Sequence, residues 1–384
     1  MMREEKANIH LGLEGVYFTK SKICKVDGLK GRLYYRGYAI EDIAKSSNFE
    51  EVSYLLLHKN LPNKKELMYF KRQMVREREL PQDIVSMIKS ESSRSHPMHV
   101  LLAAIAALAS YDADADIASE KANIEKSIRI ISKIGSVVGA IGRFRSNGEY
   151  VKPREDLGHA ANILYMITGT TPEKEHAKLL DLMMILHAEH SSNASTFSTI
   201  VTGSTLSDLY SAIASGIGTL KGPLHGGADE MALRMLREIK SPKNTAEYIK
   251  SALEGKKRIM GFGHRVYKTY DPRAKIIKKT LLDLSRNSSA DVENLSKIAL
   301  SAEKIMIDRL GKSKGIWPNV DFFSGPIYTY IGIPPELFTP LFAASRSPGW
   351  CAHMLEYWDN SRLIRPLEYY DGSINKKYIL INRR

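Results

Sequence analysis

The segment GFGHRVYKTYDPRAK, residues 261–275, joins residue types that neither a packed core nor an ordinary surface requires together. His264 follows two glycines, and Arg265, Lys268 and Arg273 come one, four and nine residues later. Glycines let the backbone approach a ligand closely, an imidazole can donate a hydrogen bond to a carbonyl oxygen, and the cations attract an anion. The segment therefore predicts a site for an anionic molecule whose carbonyl group is polarised.

A second histidine, His225, lies in KGPLHGGADE, directly before a helical pattern. Asp229 and Glu230 suit the first turn of that helix, because acidic side chains complement the positive end of the helix dipole. The same dipole disfavours a charged imidazole, and a neutral imidazole can donate a hydrogen bond to a developing oxyanion. The alternative is a histidine that only satisfies the backbone at this turn.

A carboxylate, Asp321, stands in KGIWPNVDFFSG beside Trp317, Phe322 and Phe323. Aromatic neighbours remove water from a carboxylate, which raises its pKa and its strength as a base. The alternative is that Asp321 is the N-cap of a helix.

Two further histidines, His187 and His190, lie three residues apart and so share one face of a helix. A zinc site needs a third ligand, and the sequence has no H-E-x-x-H motif or Cys pair, so we expect no metal. His190 is nearer the break at Ser191–Asn193 and is the better candidate to reach a ligand, whereas His187 suits a packed position.

Arginines complete the set of candidate residues. Arg346 lies in AASRSPGW, and Arg362 and Arg365 lie in SRLIRPLEYY. A guanidinium can bind a carboxylate through two parallel hydrogen bonds, so these residues and Arg273 could hold a dicarboxylate. With one carboxylate base and neutral histidines, the set indicates proton abstraction next to a carbonyl with stabilisation of the oxyanion. No phosphate-binding glycine loop and no G-x-S-x-G motif is present.

Composition limits the class of protein. The chain has 384 residues, of which 43% are apolar and 26% charged, values typical of a globular protein with a large core. The net charge of +13 leaves nucleic-acid binding open as an alternative class, but no binding module is recognisable. Nine basic residues against two acidic ones between residues 254 and 279 surround His264, which favours a small polyanion.

The setting can also be predicted from the sequence. Cys24 and Cys351 give no disulfide framework, the first residues MMREEKANIH do not resemble a secretory signal, and the longest apolar run, Val100–Ala109, is too short to span a bilayer. We therefore expect a cytoplasmic protein with neither a nucleic-acid nor a membrane partner.

Helical periodicity dominates after residue 40, so the predicted fold class is all-α. Short extended pieces are expected only in the first 40 residues. Helices are predicted at 41–60, 64–78, 97–111, 122–145, 158–168, 174–191, 204–220, 228–239, 244–254, 272–286, 291–310 and 338–358. Glycine and proline breaks after residue 220 indicate a second lobe from about 222 to 331.

The chain resembles the citrate synthases, in the short form found in archaea and many bacteria. The resemblance runs over nearly the whole length, and its most specific motif is GFGHRVYKTYDPR. Five other motifs carry it: GLKGRLYYRGYAIEDIA (28–44), HAEHSSNAST, KGPLHGGADE, SKGIWPNVDFFSG and ASRSPGWCAHMLEYWDNSRLIRP (344–366). It implies an all-α homodimer with a large domain, residues 1–221 and 332–384, and a small domain, residues 222–331, that closes over the active site.

The resemblance also implies a role for each candidate residue. Asp321 would remove a methyl proton from acetyl-CoA, His225 would stabilise the enolate, and His264 would polarise the ketone of oxaloacetate. The implied oxaloacetate ligands are His190, Arg273 and Arg346, joined by Arg365 from the other subunit. The backbone that would hold CoA is Arg258, Ile259, Met260, Gly261 and Phe262. Acetyl-CoA would be a co-substrate, and no permanently bound cofactor is implied.

Two points depart from the family pattern or stay open. Relatives often continue with a basic residue after the position of Arg365-Pro366, whereas this chain has Leu367 and Glu368, which could weaken a contact to the CoA phosphates. The SSNAST segment also resembles 2-methylcitrate synthases, which use propionyl-CoA with the same residues, so that activity is the alternative.

Overall fold

The computed structural model describes residues 8–285 and 288–384. In this part of the chain the protein is mostly helical. The helices are α1 Ile40–Ser46, α2 Phe49–His58, α3 Lys64–Arg76, α4 Gln82–Ser92, α5 Pro97–Leu108, α6 Glu120–Arg145, α7 His159–Thr168, α8 Lys174–His187, α9 Ala194–Gly203, α10 Leu209–Leu220, α11 Ala228–Ile239, α12 Thr245–Glu254, α13 Pro272–Ser285, α14 Ala290–Met306, α15 Lys312–Lys314, α16 Val320–Tyr330 and α17 Phe338–Trp358. None of the described helices is long and apolar enough to cross a bilayer.

One small antiparallel sheet precedes the helices. Its strands are β1 Cys24–Asp27, β2 Arg32–Tyr35 and β3 Tyr38–Ala39, in the order β1-β2-β3, with Cys24 opposite Tyr35. The buried Tyr35 hydroxyl donates to the carbonyl oxygen of Glu189 at 2.9 Å. The sheet is thereby fixed against the end of α8, next to His190.

The core is built around α6 and α17. Most of α6 is buried, where it packs against α4, α7 and α17. α17 is buried from Phe338 to Met354 and contacts α2, α8, α9 and α10 as well. Arg346 and Trp350, on α17, are therefore held in the interior rather than at the surface.

The predicted all-α class is confirmed, and most predicted helices are present within a few residues of their expected ends. The predicted helix at 41–60 is wrong as a single element, because it is two helices separated at Ser47–Asn48, where the Asn48 side chain caps α2. The helix predicted at 204–220 begins only at Leu209. The helices α4, α9, α15 and α16 are absent from the predicted set.

Candidate active site

The ring of His264 is held by the backbone that follows it. The Nδ1 atom accepts hydrogen bonds from the backbone N–H of Val266 at 3.0 Å and of Tyr267 at 3.1 Å. Since Nδ1 is an acceptor, the proton lies on Nε2, which is left to donate to a ligand. Burial, reinforced by the charge of Arg273, lowers the pKa of His264 to about 4, so the ring is neutral at neutral pH.

The glycines before His264 tie this loop to the segment that leads into α16. The Gly263 N–H donates to the Trp317 carbonyl at 2.9 Å, and the Asn319 N–H donates to the Gly261 carbonyl at 2.9 Å. Gly261 has a φ of 77°, and a Cβ there would lie 2.7 Å from the Cα of Phe322. Only glycine fits this contact, so the loop that carries His264 and the helix that carries Asp321 are joined.

Asp321 lies in the first turn of α16. The helix cap is Asn319, whose Oδ1 accepts from the Asp321 N–H at 3.1 Å, so the alternative that Asp321 is the cap is wrong. Its side chain is 8% exposed, and its Oδ1 atom is buried with no hydrogen-bond partner among the described residues. Burial raises the pKa of Asp321 to about 7, although Arg273 opposes this rise. The carboxylate is therefore a stronger base than one in water.

His225 packs against α9 rather than capping α11, whose first turn has no side-chain cap. Its Nε2 atom accepts from the backbone N–H of Ser195 at 3.3 Å and lies 2.7 Å from the Ser195 hydroxyl. That hydroxyl in turn accepts from the Trp350 indole N–H at 3.2 Å. The proton of His225 is therefore on Nδ1, and burial lowers the pKa of the ring to about 4, with a smaller effect from Arg346.

His190 lies beside His264, with the ring centroids 5.0 Å apart. Its Nε2 atom is 3.3 Å from the Tyr267 hydroxyl, and burial lowers its pKa well below the ordinary value. His187 is fully buried, and its Nδ1 donates to the Met183 carbonyl at 2.7 Å, consistent with a packed position.

Two arginines place positive charge around these rings. Arg273 binds Asp271 through Nε at 3.1 Å and Nη2 at 2.8 Å. Arg346, 1% exposed, donates from Nε to the His187 carbonyl at 2.6 Å, while its Nη1 atom is buried without a partner in the described part of the chain. A buried guanidinium nitrogen that lacks an acceptor is costly, and a ligand carboxylate would satisfy it.

The fourth predicted arginine, Arg365, is not in this cluster. It is exposed on the extended tail after α17. The predicted CoA segment lies at the edge of the site, with Arg258 exposed, Ile259 and Gly261 buried, and Met260 and Phe262 partly buried. None of these five backbone N–H groups donates to a backbone carbonyl among residues 8–285 and 288–384.

Six of the seven predicted catalytic and substrate-binding side chains thus lie in one cluster, in which His190, Arg273, Asp321 and Arg346 are buried and His225 and His264 are partly buried. Sequence reasoning missed the groups that orient them. Ser195, Tyr267 and Asp271 all lie within the motifs noted above, but only their contacts identify them as partners. No group of three or more potential metal ligands occurs in the described residues.

The arrangement combines a desolvated carboxylate, two neutral imidazoles with a defined free N–H, and cations for carboxylate binding. It is suited to forming an enolate and joining it to a ketone that carries carboxylates.

Comparisons with known proteins agree with this chemistry. The family model "Citrate synthase, C-terminal domain" matches residues 12–367. The citrate synthase of Deinococcus radiodurans is 42% identical over 378 residues, which cover 98% of this chain and 100% of that protein. Citrate synthase 2 of Bacillus subtilis is 44% identical over 377 residues, 97% of this chain and 98% of that protein.

Solved structures give the same result. The crystal structure of citrate synthase from Pyrobaculum aerophilum has a TM-score of 0.93 and 44% identity, and the match covers 98% of this chain and 95% of that one. The ternary complex of carboxymethyl coenzyme A and oxaloacetate with citrate synthase from Thermoplasma acidophilum has a TM-score of 0.94 and 37% identity, and the match covers 98% and 99%. The chain belongs to the citrate synthase family.

Proposed function

We propose that this protein condenses acetyl-CoA with oxaloacetate and water to give citrate and CoA. The observation that carries the proposal is the protonation pattern of the site. Within the described residues, His225 has a free Nδ1–H, His264 has a free Nε2–H, and Asp321 has a desolvated oxygen without a partner. One base and two neutral donors are what enolisation followed by attack on a ketone requires.

In the first step Asp321 removes a proton from the methyl group of acetyl-CoA while His225 donates a hydrogen bond to the thioester oxygen. A carboxylate alone is too weak a base for this proton, so both actions are needed together. Removing one such donor typically costs about 10²–10³ in rate. The enolate carbon then attacks the ketone of oxaloacetate, and the Nε2–H of His264 stabilises the new alkoxide. Water finally hydrolyses the thioester of citryl-CoA.

Substrate binding is assigned to the cations and to His190. Arg346 and Arg273 would hold the carboxylates of oxaloacetate, because Arg346 has an unsatisfied buried nitrogen and Arg273 is oriented by Asp271. The backbone of residues 258–262 would hold CoA, whose phosphates suit the exposed cations Lys256, Lys257 and Arg258. We assign residues 222–331 to a small domain that closes over the substrates, since closure excludes water from the enolate.

We further propose a homodimer in the cytoplasm. Residues 359–384 form an extended arm that exposes apolar side chains, including Leu367 at 89% and Tyr378 and Ile381 at 77%. Exposure on this scale suits burial against a second copy of the chain. Arg365, on the same arm, would then reach the partner's site. The free thiols of Cys24 and Cys351 suit a reducing compartment.

The primary test follows CoA release with a thiol reagent, at constant oxaloacetate, with acetyl-CoA and propionyl-CoA measured side by side. We expect a clear preference for acetyl-CoA in kcat/KM, as the names of the relatives above indicate. A preference for propionyl-CoA would replace the proposal with 2-methylcitrate synthesis. No release with either substrate would refute both activities.

Asp321→Asn is expected to lower kcat by about 10³-fold or more, because the variant loses the base, and to keep oxaloacetate binding. It should also be more stable at pH 8. The folded carboxyl has a pKa of about 7 against an ordinary value of 3.8, so the free energy of unfolding falls progressively as pH rises from about 4 to about 7, and the loss is complete above pH 7. The melting temperature of the variant should exceed that of the wild type by more at pH 8 than at pH 5. At pH 8 its free energy of unfolding should be higher by about 2–4 kcal/mol. Near-normal turnover would contradict the assignment.

The pH dependence of kcat/KM for acetyl-CoA should have an acid limb with a midpoint near pH 7, the pKa of Asp321. Activity is lost as pH falls, because the base becomes protonated. His225 and His264, each with a pKa of about 4, stay neutral through this range, so the limb should follow a single proton. A two-proton slope, or a midpoint near pH 4, would contradict this protonation pattern.

Mixing two inactive variants tests whether Arg365 acts across the dimer. Asp321→Asn and Arg365→Ala proteins are unfolded together and refolded, so that mixed dimers form. In a mixed dimer, the chain with an intact Asp321 receives Arg365 from its partner. About a quarter of wild-type activity should return, because half the dimers are mixed and each has one working site. No recovery above that of the separate variants would mean that Arg365 acts within its own chain.

A further inference from the structure

A second carboxyl group lies beside the base, on a different helix. Asp229 is in the first turn of α11, four residues after His225, and is 1% exposed. Asp321 occupies the first turn of α16. Two helices therefore each carry a buried carboxyl group in the first turn.

Helix packing places these two groups together. α11 packs against α16, and a Cβ on Gly325 would lie 2.9 Å from the Cβ of Leu233. Asp229 and Asp321 each lie one turn before these contact residues, on the same faces of the two helices. The negative charge of Asp321 acts on Asp229, after burial, to raise its pKa well above the ordinary value.

Each of the two carboxyl groups has one buried oxygen that makes no hydrogen bond within the described chain: Oδ2 of Asp229 and Oδ1 of Asp321. Two carboxyl groups buried at the contact of two helices oppose each other's ionisation, so above the pKa of Asp321 the pair holds one proton and one negative charge.

The surrounding charges decide which group keeps the proton. Arg273 and Arg346 both favour the ionised form of Asp321. The charged groups that act most strongly on Asp229, Asp321 and Glu230, are both acidic, and the buried Tyr328 is affected by the charge of Asp229. The Oδ1 atom of Asp229 accepts a hydrogen bond from the backbone N–H of Glu230 at 2.7 Å. The proton is therefore retained by Asp229.

We propose that Asp229 is a positioning residue that stays in its acid form beside Asp321, so that the pair has a single negative charge and that charge lies on the base. The inference rests on the proposed function, in which Asp321 removes the methyl proton. No proton moves to or from Asp229 during the reaction. Its neutrality matters because a second negative charge would oppose both the ionised base and the developing enolate.

The direct test does not depend on activity. Infrared spectra of the whole protein at pH 7.5 are compared for the wild type and Asp229→Asn. The wild type should have a carbonyl band of a protonated carboxyl group that the variant lacks. Identical spectra in this region, or loss of a carboxylate band instead, would overturn the proposal. Asp229→Ser serves in the same way if the Asn variant does not fold.

The pH profile of kcat/KM provides the functional readout. Asp229→Asn should keep the acid limb of the wild type, because one neutral group replaces another. If Asp229 were ionised in the wild type, its removal would instead lower the midpoint of the acid limb by about 1–3 pH units. On the alkaline side the variant should stay active to higher pH, because it cannot acquire the second charge. A lowered acid limb, or an unchanged alkaline limb, would overturn the proposal.

Glu230→Gln is the matched control. It removes the adjacent carboxylate of the same helical turn, which binds Arg234 at the surface, and should leave the acid limb in place. A failure of the proposed activity can be told apart from a failure of the inference about Asp229. A wild type that releases no CoA refutes the proposed function, while the infrared comparison still decides the protonation of Asp229.

Discussion

Because the reactive groups lie below the surface, each of them can carry charge only where a neighbour compensates for lost water. The two imidazoles have no such compensation and stay neutral, with pKa values of about 4. Asp321 ionises near pH 7, helped by Arg273. Arg346 remains cationic although burial lowers its pKa. Desolvation keeps the hydrogen-bond donors neutral, and the few nearby opposite charges allow the base and the anion-binding cations to stay charged.

The rest of the fold supplies rigid positions for these groups. The pairing of residues 261–263 with 317–319 joins the His264 loop to the start of α16. The buried run of α17 carries Arg346 to the end of α8, where the His187 carbonyl receives it. The Tyr35 hydroxyl fixes the sheet at the same place. Contacts between elements far apart in sequence therefore converge on one small volume.

The sequence allowed the long amphipathic helices and the reactive residues to be predicted, but not their supports. α9, ASTFSTIVTG, is rich in poor helix formers, and α16 contains Gly325 and Pro326, so local propensity argued against both. Packing of α9 against α10 and of α16 against α11 and α13 overrides it. The role of Ser195 toward His225, and that of Asp229 toward Asp321, could not be predicted, because each depends on two helices meeting in space.

The way in which the histidine tautomers are fixed makes the site robust to mutation. His264 is oriented by the backbone amides of Val266 and Tyr267, and His225 by the backbone amide of Ser195. A backbone N–H survives every side-chain replacement except proline. Genetic drift at these three positions can thus change the shape and polarity of the pocket while the donor atoms of both rings stay the same. Because the course of the backbone determines both tautomers, the side chains that line the pocket can change while the reaction stays the same.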